Sequence, residues 1–161
     1  MRPRILVVDD EPGMLRAVRR VLERHYDLDC AASAEQALTV SEDATPDIAI
    51  LDIMGVQGFE LLKIANGQKI PALMLTAHAL DEESLKKSAE DGAAYFAPKE
   101  KMHEIDLFVA DVLEALEQKK SPWVKLFERL GGFYDKRFHG PNWREQEQKF
   151  WEEKLKKQPE L

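Results

Sequence analysis

Five side chains of this sequence could together handle a phosphoryl group. Asp9 and Asp10 follow the aliphatic run Arg4–Val8, and Asp52 follows Asp47–Leu51. Thr76 follows Pro71–Leu75, and Lys99 follows Ala94–Ala97 and Pro98. Each of these chemical groups therefore ends a short apolar segment of strand character. Three carboxylates in one pocket repel one another and raise their own pKa values unless a cation holds them. Oxygen donors that leave room for water suit Mg²⁺. A carboxylate beside a hydroxyl, an ammonium and a divalent ion can attack phosphorus while the others take up charge on the phosphoryl oxygens.

The elements that must position these groups alternate along the chain. Between the strand segments lie stretches of helical character. Pro12–Arg24 places Leu15, Val18 and Leu22 on one face. Ser33 with Gln36 opens a helix in capping-box fashion. Gly58–Ala65 and Asp81–Glu90 are shorter helices, stopped by Asn66-Gly67 and Gly92. Met102–Gln118 carries Ile105, Phe108, Val109, Val112, Leu113 and Leu116 at helical spacing. Tyr26–Ala31 alternates apolar with acidic residues, the pattern of an edge strand. Five strands each followed by a helix require right-handed crossovers. The sequence thus predicts an α/β fold, a five-stranded parallel sheet with helices on both faces. This is a doubly wound, flavodoxin-like arrangement, plus a C-terminal helical tail. The apolar first, third and fourth strands belong in the middle, and chemistry in such a sheet sits at the carboxyl ends of the strands.

Composition narrows the function classes. The 161 residues carry a net charge of −7 and one cysteine, Cys30. A disulfide framework is thereby excluded, and a reducing cytoplasmic setting is expected. Asp9 and Asp10 interrupt the N-terminus before a signal-peptide core could form, and no apolar run could span a bilayer. Charge is split: residues 1–118 are net −11, residues 119–161 net +4. The latter hold 8 of the 13 aromatic residues, including all three tryptophans. This step places a domain at 1–118, a linker at 119–122 and an aromatic-rich helical extension at 123–161.

The runs ILVVDDE (5–11), AILDIM (49–54), MLTAHA (74–79) and GAAYFAPK (92–99) resemble, in order and spacing, the receiver domain of two-component response regulators. The resemblance implies residue roles. Asp52 would be the phosphoacceptor. Asp10 would bind Mg²⁺, with Asp9 nearby and the backbone carbonyl of Met54 a further ligand. Thr76 would hydrogen-bond the phosphoryl group and Lys99 would pair with it. Phe96 would be the switch aromatic, with Tyr95, one residue off that register, ranked second. Met54 and His78 would flank the attacking water, and methionine there implies slow self-dephosphorylation. Two features depart from the family: the step from Asp52 to Gly58 is shorter than usual, and Pro98-Lys99-Glu100 replaces the usual Lys-Pro pair. From the residues alone, Phe96 reads equally well as core packing, and Thr76 as a strand-end hydroxyl.

The resemblance implies a sensor histidine kinase as phosphoryl donor and a downstream protein target. It leaves room for a homodimer through the face of the fourth helix, fifth strand and fifth helix, or through the tail. The protein would be a switch rather than an enzyme, with no membrane association. The rival readings are a DNA-binding regulator with a minimal output tail and an aspartyl-nucleophile phosphohydrolase. A net +4 tail with several glutamates is a poor phosphate footprint. The phosphohydrolase reading wants Asp-x-Asp after the first strand, which Asp9-Asp10-Glu11 does not supply. In the tail, Ser121-Pro122 starts a helix expected to end at Gly131-Gly132. Asn142 with Glu145 is expected to cap a second helix over Trp143–Lys157.

Overall fold

The computed structural model describes residues 2–43, 45–53, 57–77 and 81–156. Five strands, β1 (Arg4–Val8), β2 (Asp27–Ala31), β3 (Ile48–Asp52), β4 (Ala72–Thr76) and β5 (Tyr95–Pro98), form one parallel sheet in the order β2-β1-β3-β4-β5. All five residues of β3 and of β4 are buried, as continuous apolar runs in the middle of a parallel sheet must be. β2 keeps its alternating acidic residues on the sheet edge. Between the strands lie α1 (Pro12–Leu22), α2 (Ala34–Asp43), α3 (Gly58–Gly67) and α4 (Glu82–Glu90). A 3₁₀ turn, Lys99–Glu104, leads into α5 (Ile105–Glu117).

The helix starts follow local chemistry. Ser33 Oγ accepts the Gln36 N–H, while Gln36 Oε1 accepts the Ala32 N–H. Asp81 caps α4 by accepting the Ser84 N–H at 2.7 Å. The strand order reverses direction between β1 and β3. Their carboxyl ends therefore flank the crevice where this class of sheet binds ligands. Register fixes the neighbours there: Val8 lies beside Leu51, Asp52 beside Leu75, and Thr76 beside Pro98.

The tail folds back on its own sheet as α6 (Pro122–Arg137), α7 (Asn142–Glu145) and α8 (Gln148–Lys156). α6 packs against α5 and β5. Ser121 caps it by accepting the Trp123 N–H and donates its hydroxyl to the Lys154 carbonyl, tying α8 to the start of α6. Trp123, Leu126, Leu130, Tyr134, Trp143 and Trp151 are all buried. Each large apolar side chain so covered is worth about 1.5–3 kcal/mol.

Two expectations for the tail are corrected. α6 does not stop at Gly131-Gly132 but runs through it to Arg137. A glycine inside a helix costs roughly 1 kcal/mol against alanine, which the burial of Leu130 and Tyr134 on either side offsets. A Cβ at Gly131 would lie 3.4 Å from the Arg144 guanidinium, an ordinary van der Waals contact. The second helix is not continuous from Trp143 to Lys157. It breaks between α7 and α8, and Asn142 makes no capping bond, Pro141 standing at the cap position. In a straight helix, residues eight apart diverge by about 80°. The break lets Trp143 and Trp151 both meet the Phe127 ring, with centroids 5.5 and 5.3 Å away.

Candidate functional site

Asp9 follows the last residue of β1. Its N–H donates to the Ala31 carbonyl at 3.1 Å, and its Oδ1 accepts the Glu11 N–H at 3.0 Å. This aspartate turn fixes the carboxylate at the strand end. Asp52 is the last residue of β3, so the parallel pairing carries its carboxyl to the same rim. Asp10 lies on the exposed side. One ligand atom from each of Asp9, Asp10 and Asp52 falls within 4.8 Å of the others.

Lys99, in the 3₁₀ turn after β5, joins the carboxylates. Its Nζ lies 2.9 Å from Asp9 Oδ2, 3.3 Å from Asp52 Oδ1 and 3.2 Å from Glu11 Oε1. The lysine, Asp9 and Asp52 are each less than a tenth exposed. One ammonium thus pairs with three carboxylates, and Asp10 stands beside two of them. Burial, then the charge on Asp9, with a smaller part from Asp10, push the Asp52 carboxyl up to about 6, although Lys99 opposes them. Burial works against the charged lysine. Asp9, followed by Asp52 and Glu11, outweighs it and holds Lys99 above the usual lysine range.

The pocket is unbalanced in a second way. Asp9 Oδ2 is buried without a hydrogen-bond partner, its approach to Lys99 being an ion pair without hydrogen-bond alignment. That oxygen relies on the shared lysine alone, and a hard divalent cation is the partner that carboxylate oxygens of this density accept best. The donor set therefore fits Mg²⁺.

The short step after Asp52 has a visible consequence. α3 begins directly against the end of β3: a Cβ on Gly58 would lie 2.2 Å from the Asp52 carbonyl oxygen and 2.6 Å from Ile53 Cα. Only glycine fits. Gln57, just before it, adopts a left-handed backbone with φ 57°, a conformation that costs a non-glycine residue about 1 kcal/mol or more.

Thr76 ends β4, fully buried, next to the strand that carries Lys99. Phe96 and Tyr95 are both fully buried in β5. The Phe96 ring lies 5.9 Å from Tyr134 of α6. The Tyr95 ring stacks on Phe108, and its hydroxyl donates to Asp111 at 2.7 Å. Met54 and His78 lie outside the described residues. Two participants escaped the sequence reading. Glu11 holds Lys99 from the position directly after the aspartate pair. Asp111 is buried in α5 among the apolar positions of that helix.

A doubly wound parallel sheet with an acidic pocket at the β1/β3 switch point defines a class of α/β domains whose ligand site lies at the carboxyl ends of the strands. Comparison with known proteins identifies the member: the chain belongs to the response regulator receiver domain family, which matches residues 5–112. The Heme response regulator HssR of Staphylococcus saprophyticus is 45% identical over 76 residues, covering 45% of this chain and 34% of that protein. The alkaline phosphatase synthesis transcriptional regulatory protein PhoP of Bacillus subtilis is 39% identical over 111 residues, covering 62% of this chain and 45% of that protein. The chain spans less than half the length of either relative. Among solved structures, a CheY-like receiver domain protein from Methanospirillum hungatei covers 71% of this chain and 98% of its own, with a TM-score of 0.59 and 26% identity. The signal receiver domain of an HD domain-containing protein from Pseudomonas fluorescens covers 71% and 96%, with a TM-score of 0.65 and 26% identity.

Proposed function

We propose that residues 1–118 form a phosphoryl-accepting receiver whose acceptor is Asp52, joined by residues 119–122 to a helical extension at 123–161. A sensor histidine kinase is the donor and protein–protein contact the output. The supporting observation is the convergence of Asp9, Asp10 and Asp52 around a single buried ammonium.

The chemistry follows from that geometry. Asp52 sits above the ordinary carboxylate range yet is largely ionised at neutral pH, which suits a nucleophile. An oxygen of Asp52 attacks the phosphorus of a phosphohistidine. The O–P bond forms as the N–P bond breaks, and the imidazole nitrogen leaves with the bonding pair. Lys99 moves from its carboxylate partners toward the new phosphoryl oxygens, and the Thr76 hydroxyl donates to one of them. Asp9, Asp10, Asp52 and the Met54 carbonyl would hold Mg²⁺, which when bound offsets the charge gathering on those oxygens. Met54 and His78 would bracket the hydrolytic water.

Nothing in this scheme needs a membrane, and no helix among the described residues is long and apolar enough to cross one. A cytoplasmic location fits the kinase partner. The test is acetyl-phosphate labelling read by intact mass, with Mg²⁺ or with chelator. One phosphoryl group on the wild type, absent in Asp52→Asn and in chelator, is the expected result. Equal labelling of the variant would overturn the assignment. DNA-directed output is the second reading, favoured by the name of the DNA-binding response regulator MtrA of Mycolicibacterium smegmatis, 34% identical over 103 residues. A gel shift at moderate salt separates the two.

A further inference from the structure

The polar links between tail and sheet converge on the strand that carries Lys99. Tyr134 of α6 donates its hydroxyl to the Phe96 carbonyl at 2.6 Å. Trp123 Nε1 donates to the Ala93 carbonyl at 3.0 Å, just ahead of β5. Arg129 donates from Nε and Nη2 to the two carboxylate oxygens of Asp111, at 2.7 and 3.0 Å, and the Tyr95 hydroxyl shares that carboxylate. On the other side of Lys99, Glu100 pairs with Arg137, and the Lys101 ammonium lies 5.2 Å from the Phe133 ring.

β5 is only four residues long and wholly buried. One end of it feeds the pocket's single ammonium, and its body is gripped by α6. Interiors are close-packed, so a buried strand does not shift at one end without moving what it touches. A move of Lys99 from Asp9 and Asp52 to a phosphoryl group would therefore be felt by the elements packed on β5, α6 among them.

Burial decides the form of the response. Coupling between two sites typically changes an equilibrium by about 5–150-fold. Undocking the tail would expose six large apolar side chains at once, an equilibrium many orders of magnitude further away. The tail therefore stays seated in both states.

We propose that the C-terminal segment is the resident partner of its own receiver. It closes the α4–β5–α5 face to a second copy and carries the state of the acidic pocket outward along α6 through Phe96 and Asp111. At α4 the closure is completed by Lys86, which pairs with Glu147 at 2.9 Å. The proposal rests on the reading of Asp52 as phosphoryl acceptor.

The test uses the full chain in Mg²⁺, with and without beryllofluoride as the phosphoryl mimic, measured by hydrogen exchange and light scattering. The expected result is a monomer mass in both states. Amide exchange around Asp52 and Thr76 slows, and exchange in residues 121–137 changes by about threefold or more while the tail stays protected. In Tyr134→Phe the pocket response persists and the α6 response is diminished, the Arg129–Asp111 link remaining in place. Arg129→Lys, which keeps the charge but not the two-point geometry, serves if the first variant loses its near-ultraviolet tryptophan signature. An undiminished α6 response in whichever variant folds overturns the proposal. So does a dimer mass with loss of protection across 121–156. A pocket that responds without α6 overturns this inference alone; a pocket that does not respond overturns the acceptor reading and this inference with it.

Discussion

Two buried aspartates in this protein meet cations under opposite conditions. Asp111 receives the Arg129 guanidinium at two points and the Tyr95 hydroxyl at a third. Its charge is matched and its oxygens are occupied. Asp9 shares one lysine with Asp52 and Glu11, stands beside Asp10, and keeps one oxygen without a hydrogen bond. The first arrangement is complete and holds two parts of the fold together. The second is short of positive charge and of donors, so it gains by taking up a cation or giving Lys99 a new partner. Saturation marks the joint, and deficit marks the pocket proposed to accept a phosphoryl group.

The comparison breaks most sharply at the reactive carboxyl. Asp52→Asn removes acetyl-phosphate labelling by at least about 100-fold, equivalent to roughly 2.7 kcal/mol or more of barrier, with the fold intact by circular dichroism. Asp111→Ala does the reverse. It strands Tyr95 and a partly solvated Arg129, costs about 1–3 kcal/mol and lowers the melting temperature by roughly 5 °C. If the refolded protein still labels at Asp52, joint and pocket are separable.

A pH series sharpens the same contrast. The folded Asp52 carboxyl titrates at about 6, against about 3.9 in an unfolded chain. Its contribution to stability is therefore intact below about pH 4. It is lost as pH rises through 6, where the ionised form is confined among other carboxylates. In chelator at pH 7.5, Asp52→Asn should be more stable than wild type by about 1–2 kcal/mol, allowing for solvent screening at the rim. The difference should vanish below pH 4 and shrink when Mg²⁺ is added. A thermal melt series in matched buffers checks all three points. The smallest effect belongs to the solvent-exposed end of the tail contact. Lys86→Ala loses the pair with Glu147 and should leave the unfolding midpoint essentially unchanged, since an exposed ion pair is screened by water and salt, read by urea titration.

The sheet was legible because the chain writes it plainly. Ile48–Leu51 and Ala72–Leu75 are continuous apolar runs, and the residues that end them are the pocket. The acidic rim could be assembled from strand ends alone, since parallel strands deliver their carboxyl ends to one edge. What stayed hidden depends on partners distant in the chain. Asp111 occupies a place in α5 that looks polar until Arg129, 18 residues later, arrives over it. Gly131-Gly132 reads as a helix stop because its local preference is clear, whereas the packing of Leu130, Tyr134 and Arg144 that overrides it is not written nearby. The break between α7 and α8 likewise answers to Phe127.

All three tryptophans, Trp123, Trp143 and Trp151, sit in the tail, and Trp151 lies 5.5 Å from Trp123 and 5.6 Å from Trp143 between ring centroids. The receiver sheet itself contains none. Tryptophan emission, excited at wavelengths where tyrosine does not absorb, is therefore an optical gauge of the extension, installed without any label. A spectral change on adding a ligand to the distant aspartates would be a direct sighting of news crossing the molecule.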